Sequence, residues 1–379
     1  MRNEIILYTC GDSNDISTWS NVPYLFAKAL EKKGYILHRV DISPSPIINH
    51  IFNSLSFLIF KRILRSKACP EFHRTWLHRY IVYRRLKKAA YKYPNASLNL
   101  FLSFAFINPY SNRPNILWCD WTDEISIERM HRRPQWYEKY SILHERNVMK
   151  NADIVYTMFP VIKKQMEQMY HRTIHYLNRN VVNTVYKRNF NIEQTIKNRG
   201  QSNIILFIGN FRYQGAAKIL LQTFEKLRAI NSKLECHIIG MTDSQLDCQS
   251  MDNVYCYGYL HKNNPHEYET YYSLLLNAKI LINPAKEWGG YSSTIEAMYY
   301  GCPIIVSPYK DFVEEFGSHI EFGSYITPDK SLEQTITEVV DNPNYSTLCI
   351  NAYERVKNYT WDNYISVFLK SLDTLLNKK

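Results

Sequence analysis

A chain of 379 residues is longer than one hydrophobic core usually serves, and its 45% apolar content rules out wholesale disorder, so two domains of ordinary size are expected. Eight scattered cysteines with no Cys-x-x-Cys pair signal neither a disulfide framework nor a zinc site, and read as free thiols in a reducing cytoplasm. The net charge of +11 is uneven: residues 1–189 hold 29 Lys+Arg against 14 Asp+Glu and the remainder 17 against 21, which points to an anionic partner for the first half.

In chain order, the pattern is of short β-branched runs alternating with helix-length amphipathic segments, the signature of α/β domains with parallel sheets. The first residues pass directly into a strand over 5–9, without the features of a signal peptide. A helix over 22–33 stopped by Gly34 and a strand over 35–41 follow. Further strands are expected over 115–120 and 153–158, with helices over about 136–150 and 161–170. A polar stretch over 187–203 lacks apolar periodicity and is read as the domain boundary. The alternation then restarts: strands over 204–208, 234–239, 253–257, 278–283 and 304–307, and helices over 216–230, 267–277 and 292–300. Ile219, Leu220, Phe224 and Leu227 are expected to share the apolar face of the helix over 216–230. Gly301 and Pro303 form a clear stop for the helix over 292–300.

Residues 61–92 carry eleven Lys+Arg and one acid, Glu71, interleaved with aromatics. The apolar stretch over 47–63 is broken by Asn49, His50, Asn53 and Lys61 and falls short of a membrane span. Three readings of residues 47–93 stand side by side: a surface helix dipping into an anionic membrane to reach a lipid-linked acceptor, a buried helix with a solvated basic face, or a site for a polyanion. No zinc-finger or RRM pattern supports nucleic acid as that polyanion.

The strongest local signal is Asn283-Pro284-Ala285-Lys286-Glu287-Trp288-Gly289-Gly290-Tyr291-Ser292-Ser293-Thr294-Ile295-Glu296. It reads as the carboxyl end of a strand, a glycine-bearing loop and a helix N-terminus. Unpaired N–H groups and the positive end of the helix dipole suit a diphosphate there. Gly289 and Gly290 let the backbone approach a ligand closely, and Glu296 lies one turn in, where it can accept from ribose hydroxyls. The plainer alternative is a loop, a Ser292 cap and a glutamate that complements the dipole.

With Ala297, Met298, Gly301 and Pro303, this segment resembles the signature of the GT-B glycosyltransferases of family 4: Glu, seven residues, Glu-Ala-Met, two residues, Gly, and Pro after one more. Here eight residues separate Glu287 from Glu296. Phe207-Ile208-Gly209-Asn210-Phe211-Arg212-Tyr213-Gln214-Gly215 is similar to the family's phosphate-contacting loop, with Gln214 where a lysine is usual and Arg212 and Lys218 as the basic candidates. The stretch over 253–260, ending near Gly258, resembles the loop around the nucleotide base. Trp19-Ser20-Asn21 resembles a Trp-Ser-Gly loop after the first strand, with Asn21 in place of glycine.

The resemblance implies an α/β GT-B fold: two Rossmann-like domains facing across a cleft, with an acceptor domain over 1–185, a nucleotide-sugar domain over 200–358 and a C-terminal helix over 360–379 crossing back. It implies a retaining transfer of a hexose-type sugar from a UDP-, GDP- or dTDP-sugar to an acceptor hydroxyl, in bacterial surface polysaccharide or glycoconjugate assembly. No metal is expected, and the protein is expected to be cytoplasmic and peripheral at the membrane. Arg212, Lys218 and the N–H groups of Tyr291, Ser292, Ser293 and Thr294 would stabilise the leaving diphosphate, with Gly209, Gln214 and Gly258 lining the donor. Glu287, Arg212 and Asp120 are the catalytic candidates. Asp120 and Asp123 end a strand and either meet sugar hydroxyls, orient the acceptor, or cap the next helix. A non-catalytic scaffold and a nucleotide-sugar epimerase are the alternative functions.

Overall fold

The alternating segments fold into two separate α/β units. The computed structural model describes residues 3–66, 68–286 and 290–377. One unit comprises Met1–Arg179 and Ile365–Lys379, the other Asn180–Tyr364.

In the first unit, β1 (Glu4–Thr9), β2 (Ile36–Asp41), β3 (Leu98–Leu102), β4 (Asn115–Cys119) and β5 (Ile154–Thr157) form a sheet in the order β2-β1-β3-β4-β5. Every pair is parallel. Ile5, Ile6, Leu7 and Tyr8 are all fully buried, as a parallel strand covered on both faces requires. The sequence reading missed β3, although it lies beside β1 with Ile5 opposite Leu98. Its run is broken by the buried Asn99, whose amide donates to Ser111 Oγ (3.0 Å) and Asn115 Oδ1 (3.3 Å). From Ile365 onward, the helix Trp361–Leu376 belongs to this unit. Its Phe368 ring lies 5.5 Å from that of Phe26 and 5.0 Å from that of Tyr156, whose hydroxyl pairs with Ser371 Oγ at 2.9 Å.

The loop after β1 holds Trp19, Ser20 and Asn21 at φ of 39°, 52° and 70°, three successive left-handed residues. Asn tolerates that conformation better than most side chains, which fits Asn21 standing where the resembled loop has glycine.

In the second unit, β6 (Ile204–Ile208), β7 (Glu235–Ile239), β8 (Val254–Cys256), β9 (Ile280–Asn283), β10 (Ile304–Val306) and β11 (Gly323–Tyr325) are all parallel, in the order β11-β10-β9-β6-β7-β8. The chain runs from β6 outward to β8, then returns to the other side of β6 and runs outward again to β11. The strand order therefore reverses between β6 and β9, the place where an open α/β sheet accommodates a ligand.

Two expectations are corrected here. In the helix Gln214–Ile230 the buried stripe is Ala217, Leu220, Phe224 and Leu227, at i, i+3, i+7 and i+10. Ile219, one residue and about 100° away from Leu220, is 45% exposed. The stretch read as an unpatterned boundary contains the helix Ile192–Gly200, capped by Asn191, whose Oδ1 accepts from Gln194 N (3.0 Å). Apolar periodicity missed it because its buried anchor is a charged residue. Arg199 is fully buried and donates to the backbone carbonyls of Leu275 (3.1 Å), Tyr300 (3.0 Å) and Ala278.

Candidate functional site

Three strand ends of the second unit are drawn together by backbone contacts. Gly209 N, after β6, donates to Ile239 O of β7 at 2.9 Å. Beyond β7, Gly240 N donates to Gly258 O (2.6 Å), and Gly258 N returns a bond to Met241 O (2.9 Å). Gly240 has φ of +104°, and a Cβ there would sit 2.4 Å from Gly209 O. Only glycine fits both the dihedral and the space. The sequence reading selected Gly209 and Gly258 but missed Gly240, although each of Gly209 and Gly240 closes an apolar strand in the same way.

On the other side of β6, β9 leads towards the helix Ser292–Tyr299. Its first internal bond is Ile295 N to Tyr291 O (3.0 Å), so the N–H groups of Ser292, Ser293 and Thr294 stand ahead of the helical ladder. Ser292 Oγ accepts from Asn183 Nδ2 (2.9 Å), whose Oδ1 accepts from Trp361 Nε1 (3.1 Å). The Tyr291 side chain is buried, with its hydroxyl donating to Glu315 (2.6 Å), so only its backbone serves the helix start. Gly290 is exposed. At the other end the chain turns at Gly301, with φ of +71°, as the sequence pattern required.

The remaining candidates divide. Arg212 is exposed on the short turn Phe211–Tyr213 after β6, with its backbone N–H bonded to Asn210 Oδ1 (3.1 Å). β6 and β9 are neighbours, so this turn and the Ser292 helix follow the carboxyl ends of adjacent parallel strands. Lys218 instead forms an exposed ion pair with Asp247 (2.7 Å), and the Gln214 amide donates to Gln245 O. Glu287 and Gly289 lie outside the described residues.

Glu296 differs most from expectation. Rather than presenting an open carboxylate, it is 2% exposed and held on both oxygens. Lys262 Nζ lies 3.3 Å from each of them, Tyr271 donates to Oε2 (2.8 Å) and Tyr272 to Oε1 (3.3 Å). Those four contacts occupy the capacity of a carboxylate. The tyrosines come from the helix Pro265–Asn277. Burial first, then the Glu296 charge, pushes both phenols far above their usual range and keeps them as donors. Lys262 also stacks over Tyr271, 4.1 Å from the ring centre. None of these three partners was singled out from sequence. Lys262 lies only four residues past Gly258, and that proximity was the available signal.

Asp120 belongs to the first unit, at the carboxyl end of β4. Its Oδ1 accepts from Trp121 N (2.8 Å) and the Cys119 thiol (3.2 Å), and burial raises its pKa. Asp123 opens the helix Asp123–Arg129, where Thr122 is the cap, and its carboxylate binds Arg74 (2.8 Å) and Ser141 Oγ (3.1 Å).

Residues 189–359 match the family model described as Glycosyl transferases group 1. No curated protein matches the chain in sequence. Among solved structures, sucrose-phosphate synthase from Thermosynechococcus elongatus is similar at 14% identity and a TM-score of 0.70, over 99% of this chain and 100% of that one. Anabaena HepE, solved in complex with UDP-glucose, gives 13% and 0.61 over 98% and 99%. WaaG, a glycosyltransferase involved in lipopolysaccharide biosynthesis, also gives 13% and 0.61 over 98% and 99%. The second α/β unit thus carries the group 1 glycosyl transferase match, in a chain whose two parallel-sheet units have the GT-B fold.

Proposed function

We propose that this protein is a retaining glycosyltransferase whose second unit holds a nucleoside diphosphate sugar. The observation that carries the reading is the switch point between β6 and β9, where a helix N-terminus, a turn bearing Arg212 and three mutually packed glycine loops share one sheet edge. The diphosphate lies on the N–H groups of Ser292–Thr294, with Arg212 adding positive charge, and the base lies at the Gly258 loop. The ribose hydroxyls take the places of the two long Lys262 contacts on Glu296, while the shorter Tyr271 bond stays. When the bond between the anomeric carbon and the phosphate oxygen breaks, charge collects on the diphosphate, where preorganised donors lower the barrier. The acceptor oxygen attacks on the face the leaving group vacates, and its proton passes to the departing phosphate oxygen. No step requires a metal ion.

The first unit is assigned the acceptor, with Asp120 binding sugar hydroxyls. Glu287 is retained as a catalytic candidate, by the resemblance alone. HepE with UDP-glucose and WaaG in lipopolysaccharide synthesis support a hexose donor and a role in glycoconjugate assembly.

A panel of UDP-, GDP- and dTDP-sugars tested by thermal shift, followed by an assay for slow hydrolysis, examines this directly. One donor should raise Tm and be hydrolysed. Arg212→Ala and Glu296→Gln should each weaken both effects about tenfold or more, the loss expected for one charge-assisted contact. If no donor shifts Tm, a scaffold takes the place of the enzyme. If a C2 epimer accumulates without acceptor, the protein is an epimerase.

A further inference from the structure

The helix Pro46–Ser56 and its wide-turn continuation Phe57–Ile63 lie on the first unit with their polarity reversed. The side against the protein is partly polar. Asn53 Oδ1 accepts from Phe72 N (3.1 Å), Ser56 Oγ donates to Pro70 O (2.7 Å), and the Phe52 ring lies tilted against that of Phe72 with ring centres 5.4 Å apart. The opposite side is aliphatic. Ile47, Ile51, Leu55 and Leu58, at i, i+4, i+8 and i+11, share one face, and Ile63 and Leu64 extend the apolar run. All six are between 52% and 72% exposed. A water-facing helix ordinarily shows the opposite arrangement, and a contiguous apolar face of this kind marks a binding surface.

Charge identifies what covers it. From residue 42 to residue 119 the chain carries twelve Lys+Arg and a single acid, Glu71. Lys61, Arg62 and Arg65 close the aliphatic run itself. The helix Trp76–Lys92, which abuts the same short turn Phe72–Arg74, adds Arg84, Lys87 and Lys88 and begins with Trp76, 75% exposed. Aliphatic side chains bordered by cations, with an exposed tryptophan, match a bilayer interface of anionic lipid. No described helix is long and apolar enough to cross a membrane.

We infer that residues 46–64 are an interfacial insertion element that seats the first unit on an anionic lipid bilayer, with Ile47, Ile51, Leu55 and Leu58 entering the acyl boundary and Lys61, Arg62 and Arg65 meeting the headgroups. The inference does not depend on the donor site in the second unit.

Flotation of the full chain tests it, with vesicles of phosphatidylcholine alone or containing phosphatidylglycerol. The wild type should float with phosphatidylglycerol vesicles and bind phosphatidylcholine about tenfold more weakly, and added salt should reduce the difference. The triple variant Ile51→Asp, Leu55→Asp, Leu58→Asp should lose binding about tenfold or more while keeping the wild-type Tm. Lys61→Glu, Arg62→Glu, Arg65→Glu should lose the preference for phosphatidylglycerol. The proposal is overturned if the wild type ignores phosphatidylglycerol vesicles, or if both variants float as it does. It is equally overturned if the aliphatic face proves to join two copies, seen as a dimer by light scattering that the aspartate variant converts to monomer without any lipid binding by the wild type.

Discussion

The glycine-lined edge of the second unit and the aliphatic face of the first show opposite ways of leaving a surface unfinished. At the edge, backbone approaches backbone so closely that a single added carbon at Gly240 would collide with Gly209 O at 2.4 Å. In the same unit, Glu296 is already saturated by protein donors. On the aliphatic face, the polar groups are satisfied inward and the apolar ones are left outward. On the proposed reading the first is a cradle for a small polar ligand, in which ribose displaces Lys262 from Glu296. The second is a broad contact surface whose cost in exposed apolar area is offset only when something covers it. The charges follow the same division, with the basic excess confined to residues 1–189.

The sharpest way to break this contrast is Gly240→Val. A β-branched residue would meet both a positive φ and the Gly209 carbonyl, so a loss of about 4 kcal/mol is expected in the second unit, together with loss of donor binding. Urea unfolding followed with and without nucleotide-sugar measures both, and near-wild-type stability would show that the edge is looser than its geometry.

Next in size is Lys262→Met. It leaves the buried Glu296 without its cation and should cost about 3 kcal/mol. Because ribose then has nothing to displace, the rise in Tm on adding donor should be larger than in wild type. A vanished shift would make Lys262 itself a donor ligand and end the displacement reading.

In the first unit, burial lowers the His144 pKa to about 4, and its Nε2 has no hydrogen-bond partner among the described residues. The unfolded chain takes up a proton near pH 6.5 that the folded unit refuses until about pH 4. Stability is therefore fully present above pH 6.5 and is lost as pH falls through that window. The loss should be on the order of 2 kcal/mol. His144→Phe, placed among the rings of Tyr83 and Phe106, should flatten this slope in urea titrations at pH 7 and pH 5. An unchanged slope would assign the pH dependence elsewhere.

The smallest effect is expected from Ser20→Gly, in the left-handed run after β1. Ser20 is exposed with φ of 52°, so glycine should stabilise the first unit by about 0.5–1 kcal/mol. A decrease in Tm would mean that the loop depends on the serine side chain.

Some of the site is legible in the sequence alone, because its signals are local. The glycine closing β6 and the Gly301 stop are turn chemistry, set by neighbours a few residues away, whereas Ser292 leaves the cap position to Tyr291 and its hydroxyl meets Asn183, 109 positions distant. Elements whose key residue breaks the pattern were not legible. β3 carries Asn99 in its buried run, and the helix Ile192–Gly200 buries Arg199; both residues are satisfied by partners 12 to 101 positions distant. The buried polar group is tolerable only because those partners exist, and a window of sequence does not contain them.

By itself, the sequence determined the alternation that makes two parallel-sheet units, the strand ends where glycine stands, the start and stop of the Ser292 helix, and the concentration of positive charge in the first half. All of these follow from periodicity, capping and composition. Only the tertiary structure decided that Glu296 is met by Lys262, Tyr271 and Tyr272, that Lys218 turns to Asp247, and that the 46–64 segment faces its aliphatic side outward. Which side of a helix is buried, and which donor reaches a buried carboxylate, depend on side chains that meet only once the sheets have assembled, when desolvation penalises every polar group left without a partner.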